Sequence, residues 1–355
     1  MRMTLGIRRA ITTLLLITVA TGNPVAAYGV DQIEDGQWFH AFLHSKEAQA
    51  TSRGAGVTVA VLDSGVDATH PDLSGSVLPG KDFVKADGDG RVDAAGHGTA
   101  MAGLIVAHGR VAGIAPDAKI LPVRFTEFEP GESTQLVKAI RWATAQKADV
   151  ISISIGMARD DPEMRKAVRE ATDEGIIVVA SAGNTPVAKA VEYPAAYPDV
   201  LAVGCIDKNG DHAAISVKSS RIDIVAPCVG VTSANTNHAW SIGTGTSSAT
   251  AIVAGAVALV QAAFPGISGS EVRHRLTATA VDKGPVGHDV QYGFGVVDLV
   301  GALTADVPPL VSASATVSPP ADPSPDGSSP LLWALGAVLV IGALALIVVR
   351  SRRRG

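Results

Sequence analysis

The sequence predicts an α/β fold with a mostly parallel central sheet, and its apolar pattern supports this in two ways. Short runs rich in β-branched residues recur at residues 57–62, 119–124, 150–155, 175–180 and 200–204. They lack strict polar–apolar alternation, which is typical of strands buried on both faces. Helical patterns lie between the runs, and alternating strands and helices favour helices packed against a parallel sheet.

Two of the helical patterns have recognisable boundaries. Residues 134–148 place apolar side chains on one side of a predicted helix. Residues 162–174 begin with Pro162, which suits the first helical position, directly after Asp161, which suits the N-cap. We therefore expect both segments to be helices that connect neighbouring parallel strands.

The N-terminus has the pattern of a targeting segment. Residues 1–27 begin with basic residues, continue with an apolar run and end in small residues that fit a signal-peptidase site. This indicates a cleaved signal peptide, with an uncleaved anchor as the alternative. Residues 28–55 would then form an N-terminal extension before the main domain.

The C-terminus predicts a membrane anchor. Residues 331–349 form an uncharged apolar run long enough to cross a bilayer as a helix. The tail at residues 350–355 carries four arginines, and basic residues favour the cytoplasmic side. We therefore predict a single-pass protein of the cell membrane with its catalytic domain outside, although a buried core helix is the alternative.

Residues 305–330, rich in Pro and Ser, predict an extended stalk, which leaves residues 56–304 as one large domain.

The region between the two targeting segments is acidic. Seven of the 29 basic residues lie in the two ends, whereas all 34 acidic residues lie between them, so this region has a net charge of −12. An acidic external domain argues against nucleic acid as a partner, and against an anionic membrane surface.

The chain has two cysteines, Cys205 and Cys228. The signal peptide implies an oxidising compartment, where an isolated pair of cysteines favours a disulfide. A two-cysteine metal site would lack supporting histidines nearby. A cysteine-based active site would lack a motif.

Three candidate catalytic residues occur in the order Asp63, His97, Ser247. Asp63 ends the first apolar run, so its carboxylate lies at the carboxyl end of a predicted strand, where functional groups gather in parallel sheets. His97 stands among small residues that open an apolar helix. Ser247 stands where a Gly/Thr loop enters another apolar helix, so its N–H could face a developing oxyanion.

Each residue alone also has a structural interpretation, as a turn cap, a structural histidine or a helix N-cap. Together they supply a hydroxyl nucleophile, a base and an acid that orients the base. Their order differs from that of chymotrypsin-like enzymes and α/β-hydrolases, and no Gly-x-Ser-x-Gly elbow supports an esterase. Asn184, at the end of a later apolar run, could donate a second hydrogen bond to the oxyanion.

The strings around these four residues resemble the subtilase family of subtilisin-like serine proteases. Further matching strings are His70-Pro71-Asp72-Leu73, Gly113-Ile114-Ala115-Pro116 and Tyr292-Gly293-Phe294-Gly295. The resemblance covers about residues 38–303. It implies a subtilisin-like three-layer sandwich and serine endopeptidase activity through an acyl-enzyme. It also implies that Asp63, His97 and Ser247 form the triad and that Asn184 is the oxyanion donor.

The same resemblance implies where a substrate binds. Ser154, Ile155 and Gly156 resemble the strand that lines the primary specificity pocket. Pro130 and Gly131 resemble the edge that pairs with an extended substrate. The expected partner is therefore a protein or peptide segment that binds as an added strand.

The arrangement of the whole chain narrows the resemblance to the mycosins, membrane proteases of type VII secretion systems. It combines a signal, a short extension, a subtilase domain, a Pro-rich stalk and a C-terminal helix with a basic tail; residues 37–41 also resemble the start of that group. The resemblance implies protein processing at the outer membrane face and a type VII membrane complex as a further partner. A non-catalytic structural subunit of such a complex is the alternative function.

The sequence departs from the subtilase pattern at several positions. The residue after the Gly-His-Gly-Thr string is Ala100, the nucleophile is followed by Ser248, and Ala251 stands where proline is usual. The loop between Val106 and Gly113 is short and lacks acidic residues. We therefore expect no calcium site there, and we predict no metal and no cofactor.

Overall fold

The computed structural model describes residues 30–127 and 131–310. The predicted signal peptide, most of the stalk, the membrane helix and the basic tail lie outside the described residues, as does Pro130. All strands, helices and contacts named below belong to these described residues.

A seven-stranded sheet forms the centre of the molecule, with the order β2-β3-β1-β4-β5-β6-β7. All adjacent strands pair in parallel. The strands are β1 Thr58–Asp63, β2 Lys81–Asp82, β3 Lys119–Arg124, β4 Val150–Ile153, β5 Ile177–Ser181, β6 Leu201–Ile206 and β7 Ile224–Pro227. Each of the five predicted runs overlaps one of these strands, and this sheet confirms the predicted α/β class.

The two faces of the sheet belong to two separate apolar clusters. In β1, Val59 and Val61 join one cluster, whereas Ala60 and Leu62 join the other. Successive side chains of a strand point to opposite faces, so a strand covered on both sides must be apolar throughout. This is why the runs lack polar alternation.

Helices cover both faces and complete the three layers. The helices are α1 Val30–Asp35, α2 Phe39–Phe42, α3 Ser45–Thr51, α4 His97–Val106, α5 Ser133–Ala145, α6 Pro162–Asp173, α7 Thr246–Ala263, α8 Gly269–Ala278 and α9 Leu299–Thr304. Helices α4 and α7 contribute to the first apolar cluster, and α5 and α6 to the second. The predicted N-cap of α6 is present, because the Asp161 carboxylate accepts the N–H groups of Glu163 and Met164.

Helix α7 is the central helix of the first layer. Among the described residues it is the one helix long and apolar enough to cross a bilayer, but 78% of it is buried inside the protein. Its apolar surface is therefore accounted for by the protein core. An antiparallel hairpin, β8 Val231–Asn235 with β9 Ala239–Gly243, leads directly into its N-terminus.

The described part of the N-terminal extension binds along β8. Gln37 Nε2 donates to the carbonyl oxygen of Thr232 at 2.8 Å, and its Oε1 accepts the N–H of Ala112 at 2.8 Å. Trp38 Nε1 donates to the carbonyl oxygen of Val229 at 3.1 Å. These bonds attach the extension to β8, to the residue two positions before it and to the loop after α4.

The structure pairs Cys205, in β6, with Cys228, which follows β7, and their Cα atoms lie 5.6 Å apart. Both residues are fully buried. The bond therefore links two neighbouring parallel strands inside the core.

Candidate active site

Asp63 and His97 form a hydrogen-bonded pair at the carboxyl end of β1. The Nδ1 atom of His97 lies 2.8 Å from Oδ1 and 3.0 Å from Oδ2 of Asp63. Asp63 is fully buried, whereas the His97 side chain is 29% exposed. A buried carboxylate at Nδ1 favours the tautomer that carries its proton there, which places the basic lone pair on Nε2.

Glycine at position 98 lets helix α4 approach the end of β1. A Cβ added to Gly98 would overlap the carbonyl oxygen of Gly65 and would lie 3.1 Å from the Cβ of Asp63. The small residues around His97 in the sequence therefore have a packing reason. They bring the first turn of α4 against the strand that carries the carboxylate.

Asp93 is a further site residue that the sequence analysis missed. Its Oδ1 accepts the Ser64 hydroxyl at 2.9 Å and the Gly96 N–H at 2.9 Å, and its Oδ2 accepts the N–H and hydroxyl of Thr99. This buried carboxylate thus binds both the residue after Asp63 and the first turn of α4. A possible signal was an aspartate four residues before His97, followed only by small residues up to the helix start.

Ser247 is the second residue of α7 and lies between the buried residues Thr246 and Ser248. His97 and Ser247 line the same cavity of about 280 Å³, whose apolar side includes Met101 and Leu104. The fold therefore brings residues 150 positions apart in the sequence to one cavity.

Asn184 follows β5 and is oriented by the loop before Ser247. Its Oδ1 accepts the N–H of Thr246 at 2.9 Å and the Thr246 hydroxyl at 3.1 Å. A Cβ added to Gly245 would lie 3.2 Å from both Asn184 Nδ2 and Ser247 Oγ. The amide nitrogen of Asn184 and the hydroxyl of Ser247 therefore lie close to each other, on the same side of Gly245.

Ser154, one of the predicted substrate-binding residues, lies beside these groups. The Ser154 hydroxyl donates to the carbonyl oxygen of Ser247 at 3.3 Å. Ile155 is buried in the core. A Cβ added to Gly131 would lie 3.3 Å from the Cε of Met157, so the two predicted substrate edges are neighbours.

In the part of the chain that the structure describes, no three His, Cys, Asp or Glu side chains cluster in a way that could hold a metal ion. The groups that the structure does bring together here are the Ser247 hydroxyl, the His97 imidazole, the Asp63 carboxylate and the Asn184 amide.

Comparison with known proteins identifies the family. Residues 54–295 match the sequence model described as the subtilase family, which is more than half of the chain. The chain belongs to the subtilase family. This subtilase is a serine endopeptidase by family, as the sequence predicted.

Individual relatives agree with this assignment. Subtilisin E of Bacillus subtilis (strain 168) is 34% identical over 282 residues, which cover 78% of this chain and 70% of that protein. The crystal structure of MycP1 with its N-terminal propeptide removed has a TM-score of 0.70 and 32% identity, covering 77% of this chain and 98% of that one. MycP3 protease from the type VII (ESX-3) secretion system has a TM-score of 0.66 and 29% identity, covering 76% of this subtilase and 88% of that chain. The predicted resemblance to the mycosins is confirmed.

Proposed function

We propose that this subtilase cleaves peptide bonds with Asp63, His97 and Ser247 as its triad and Asn184 as an oxyanion donor. The observation that carries the proposal is the 2.8 Å contact of the Asp63 carboxylate with His97 Nδ1, in a histidine that lines one cavity with Ser247.

In the first half of the reaction, Ser247 Oγ attacks the carbonyl carbon of the scissile bond. Its proton passes to Nε2 of His97, and the buried Asp63 carboxylate stabilises the imidazolium that forms. The oxyanion is held by Asn184 Nδ2 and by the N–H of Ser247, which lies in the first turn of α7 where helical N–H groups lack helical partners.

In the second half, the carbon–nitrogen bond breaks and the leaving amine takes the proton from His97. Water then enters, gives a proton to His97 and attacks the acyl ester. The ester bond to Ser247 breaks, and Oγ recovers its proton. The backbone at Gly131 and at Ser154–Gly156 would hold the substrate as an extended strand.

The proposal extends to the setting of the enzyme. The signal peptide, residues 1–27, and the membrane helix, residues 331–349, support an external domain anchored in the cell membrane. The likeness to MycP3 protease supports a role in type VII secretion. Truncation after residue 330 should release the protein into the medium; retention in the membrane would refute the anchor.

Hydrolysis of a pool of internally quenched peptides by the full-length protein in detergent tests the catalytic proposal. Ser247→Ala should reduce kcat by about 10⁶-fold, to background, because the nucleophile is lost. Ser270→Ala, at an exposed serine on α8, is the matched control and should behave as the wild type. Equal hydrolysis by wild type and Ser247→Ala would instead favour the non-catalytic structural subunit.

A further inference from the structure

Glu192 is fixed between the two backbone segments that continue strands β4 and β5 towards the cleft. Its N–H donates to the carbonyl oxygen of Ala182 at 3.0 Å. The next residue, Tyr193, exchanges two backbone hydrogen bonds with Met157, both 2.8 Å long. The position of Glu192 is therefore set by the same two segments that carry Ser154 and Asn184.

The Glu192 side chain lies between two glycines. A Cβ added to Gly156 would overlap its carboxylate and lie 2.7 Å from its Cβ, and a Cβ added to Gly183 would lie 3.1 Å from Oε2. Gly183 directly precedes Asn184, and Gly156 follows Ser154 by two residues. A half-buried carboxylate thus stands next to the groups proposed to hold the reacting carbonyl.

The carboxylate lies on the acyl side of the scissile bond. In the proposed function the substrate's carbonyl oxygen contacts Asn184 Nδ2 and its backbone pairs along Ser154–Gly156, which places the side chain of that substrate residue beside these two segments. His97 must protonate the leaving amine, so the cavity that it lines with Met101 belongs to the other side of the bond. Glu192 therefore faces the residue whose carbonyl is attacked.

We propose that Glu192 selects a lysine or arginine at that substrate residue. This inference rests on the proposed function of Ser247. The two glycines let the Glu192 carboxylate pack against their backbones, and a carboxylate in this position pairs with the ammonium or guanidinium group at the end of a long substrate side chain. An acidic substrate side chain would be repelled. The substrate class is therefore protein segments with a basic residue directly before the cleaved bond.

Matched peptide pairs test this proposal on the full-length protein. The pairs carry arginine or its neutral isostere citrulline, and lysine or norleucine, directly before the scissile bond. Wild type should show kcat/KM about 10- to 100-fold higher for the charged member, as expected for a charge-assisted hydrogen bond. In Glu192→Gln the ratio should fall to about one, and in Glu192→Lys glutamate should be preferred over glutamine. Glu174→Gln, at an exposed glutamate after α6, should keep the wild-type ratio.

For each variant, the ratio of kcat/KM for the charged peptide to that for the neutral peptide does not depend on the amount of folded enzyme. Differences in folding or concentration between variants therefore cancel. The proposal is overturned if wild type does not distinguish the paired peptides, or if Glu192→Gln keeps the preference. If cleavage depends on Ser247 but shows no preference, only the role of Glu192 fails. If wild type cleaves no peptide beyond the Ser247→Ala background, the proposed function fails and this inference fails with it.

Discussion

The Asp63 carboxylate holds Nδ1 of His97 at 2.8 Å from a fully buried position, while the histidine itself remains partly exposed. This pairing couples the end of strand β1 to the first turn of helix α4. Its neighbour Asp93 strengthens that coupling, because it binds Ser64 and the N-terminal turn of α4 at once.

Replacing Asp63 with asparagine should remove most activity without unfolding the protein. An amide cannot stabilise an imidazolium, and its N–H group would favour the wrong tautomer of His97, so kcat should fall by about 10⁴-fold. The measurement is kcat for peptide hydrolysis, with the urea midpoint recorded alongside. A loss of less than about tenfold in a folded variant would count against the role of Asp63.

Replacing Gly245 with alanine should affect catalysis more than stability. The new methyl group would lie 3.2 Å from Asn184 Nδ2 and Ser247 Oγ, beside the groups proposed to bind the oxyanion and to attack the substrate. The backbone of Gly245 is extended, with φ 163°, so alanine can adopt it. We expect a loss of about 10²-fold in kcat, similar to loss of an oxyanion donor. Unchanged turnover would show that the oxyanion lies elsewhere.

Acidification should weaken the attachment of the N-terminal extension through His40. Burial lowers the pKa of His40 below its ordinary value of 6.5, and Lys46 lowers the pKa further. The ring contacts the carbonyl oxygen of Ala112 at 2.9 Å and the hydroxyl of Ser45 at 2.6 Å. The unfolded chain therefore binds a proton at this histidine more readily than the folded protein does. The contribution of neutral His40 to the free energy of unfolding is complete above pH 6.5, and it is lost as the pH falls from 6.5 through the lower pKa of the folded state.

The urea concentration at which half of the protein is unfolded, measured at about pH 7.5 and about pH 5.5, reports this loss of stability. Wild type should lose more stability between the two values than His40→Gln, which does not titrate in this range. Identical pH dependence of the two proteins would contradict the prediction.

Loss of the disulfide should destabilise the domain. Cys205 and Cys228 are 23 residues apart, and closing a loop of this size is worth about 3 kcal/mol in the chain-entropy description. The double variant Cys205→Ala/Cys228→Ala should therefore unfold at lower urea than the oxidised wild type. Reducing agent should lower the midpoint of the wild type and leave that of the double variant unchanged. No effect of reductant on the wild type would argue against the bond.

Much of the sheet could be predicted because its strands are buried on both faces. The five apolar runs each overlap a strand, with ends that differ by at most two residues. Strand β2 was missed because it has only two residues, and strand β7 because its apolar run is preceded by Asp223 and ends in Pro227. The hairpin β8–β9 was missed because its sequence, rich in Thr, Ser and Asn, lacks an apolar run.

The candidate triad could be predicted because its residues lie in distinctive local strings. Asp93, Gly245 and Glu192 could not be found that way, because their importance depends on contacts between segments distant in the sequence. Glu192, for example, is a candidate specificity residue only because the fold places Gly156 and Gly183 on either side of it. A single charged residue in a loop carries no such information.

The most direct test of Ser247 as the nucleophile activated by His97 and Asp63 uses a fluorophosphonate. The full-length protein is labelled, and mass spectrometry locates the modified residue. This reagent modifies a serine only when a base activates it. We expect one adduct, on Ser247, which disappears in His97→Ala and forms much more slowly in Asp63→Asn. An adduct on another serine, or labelling of Ser247 that is unaffected by loss of His97, would contradict it.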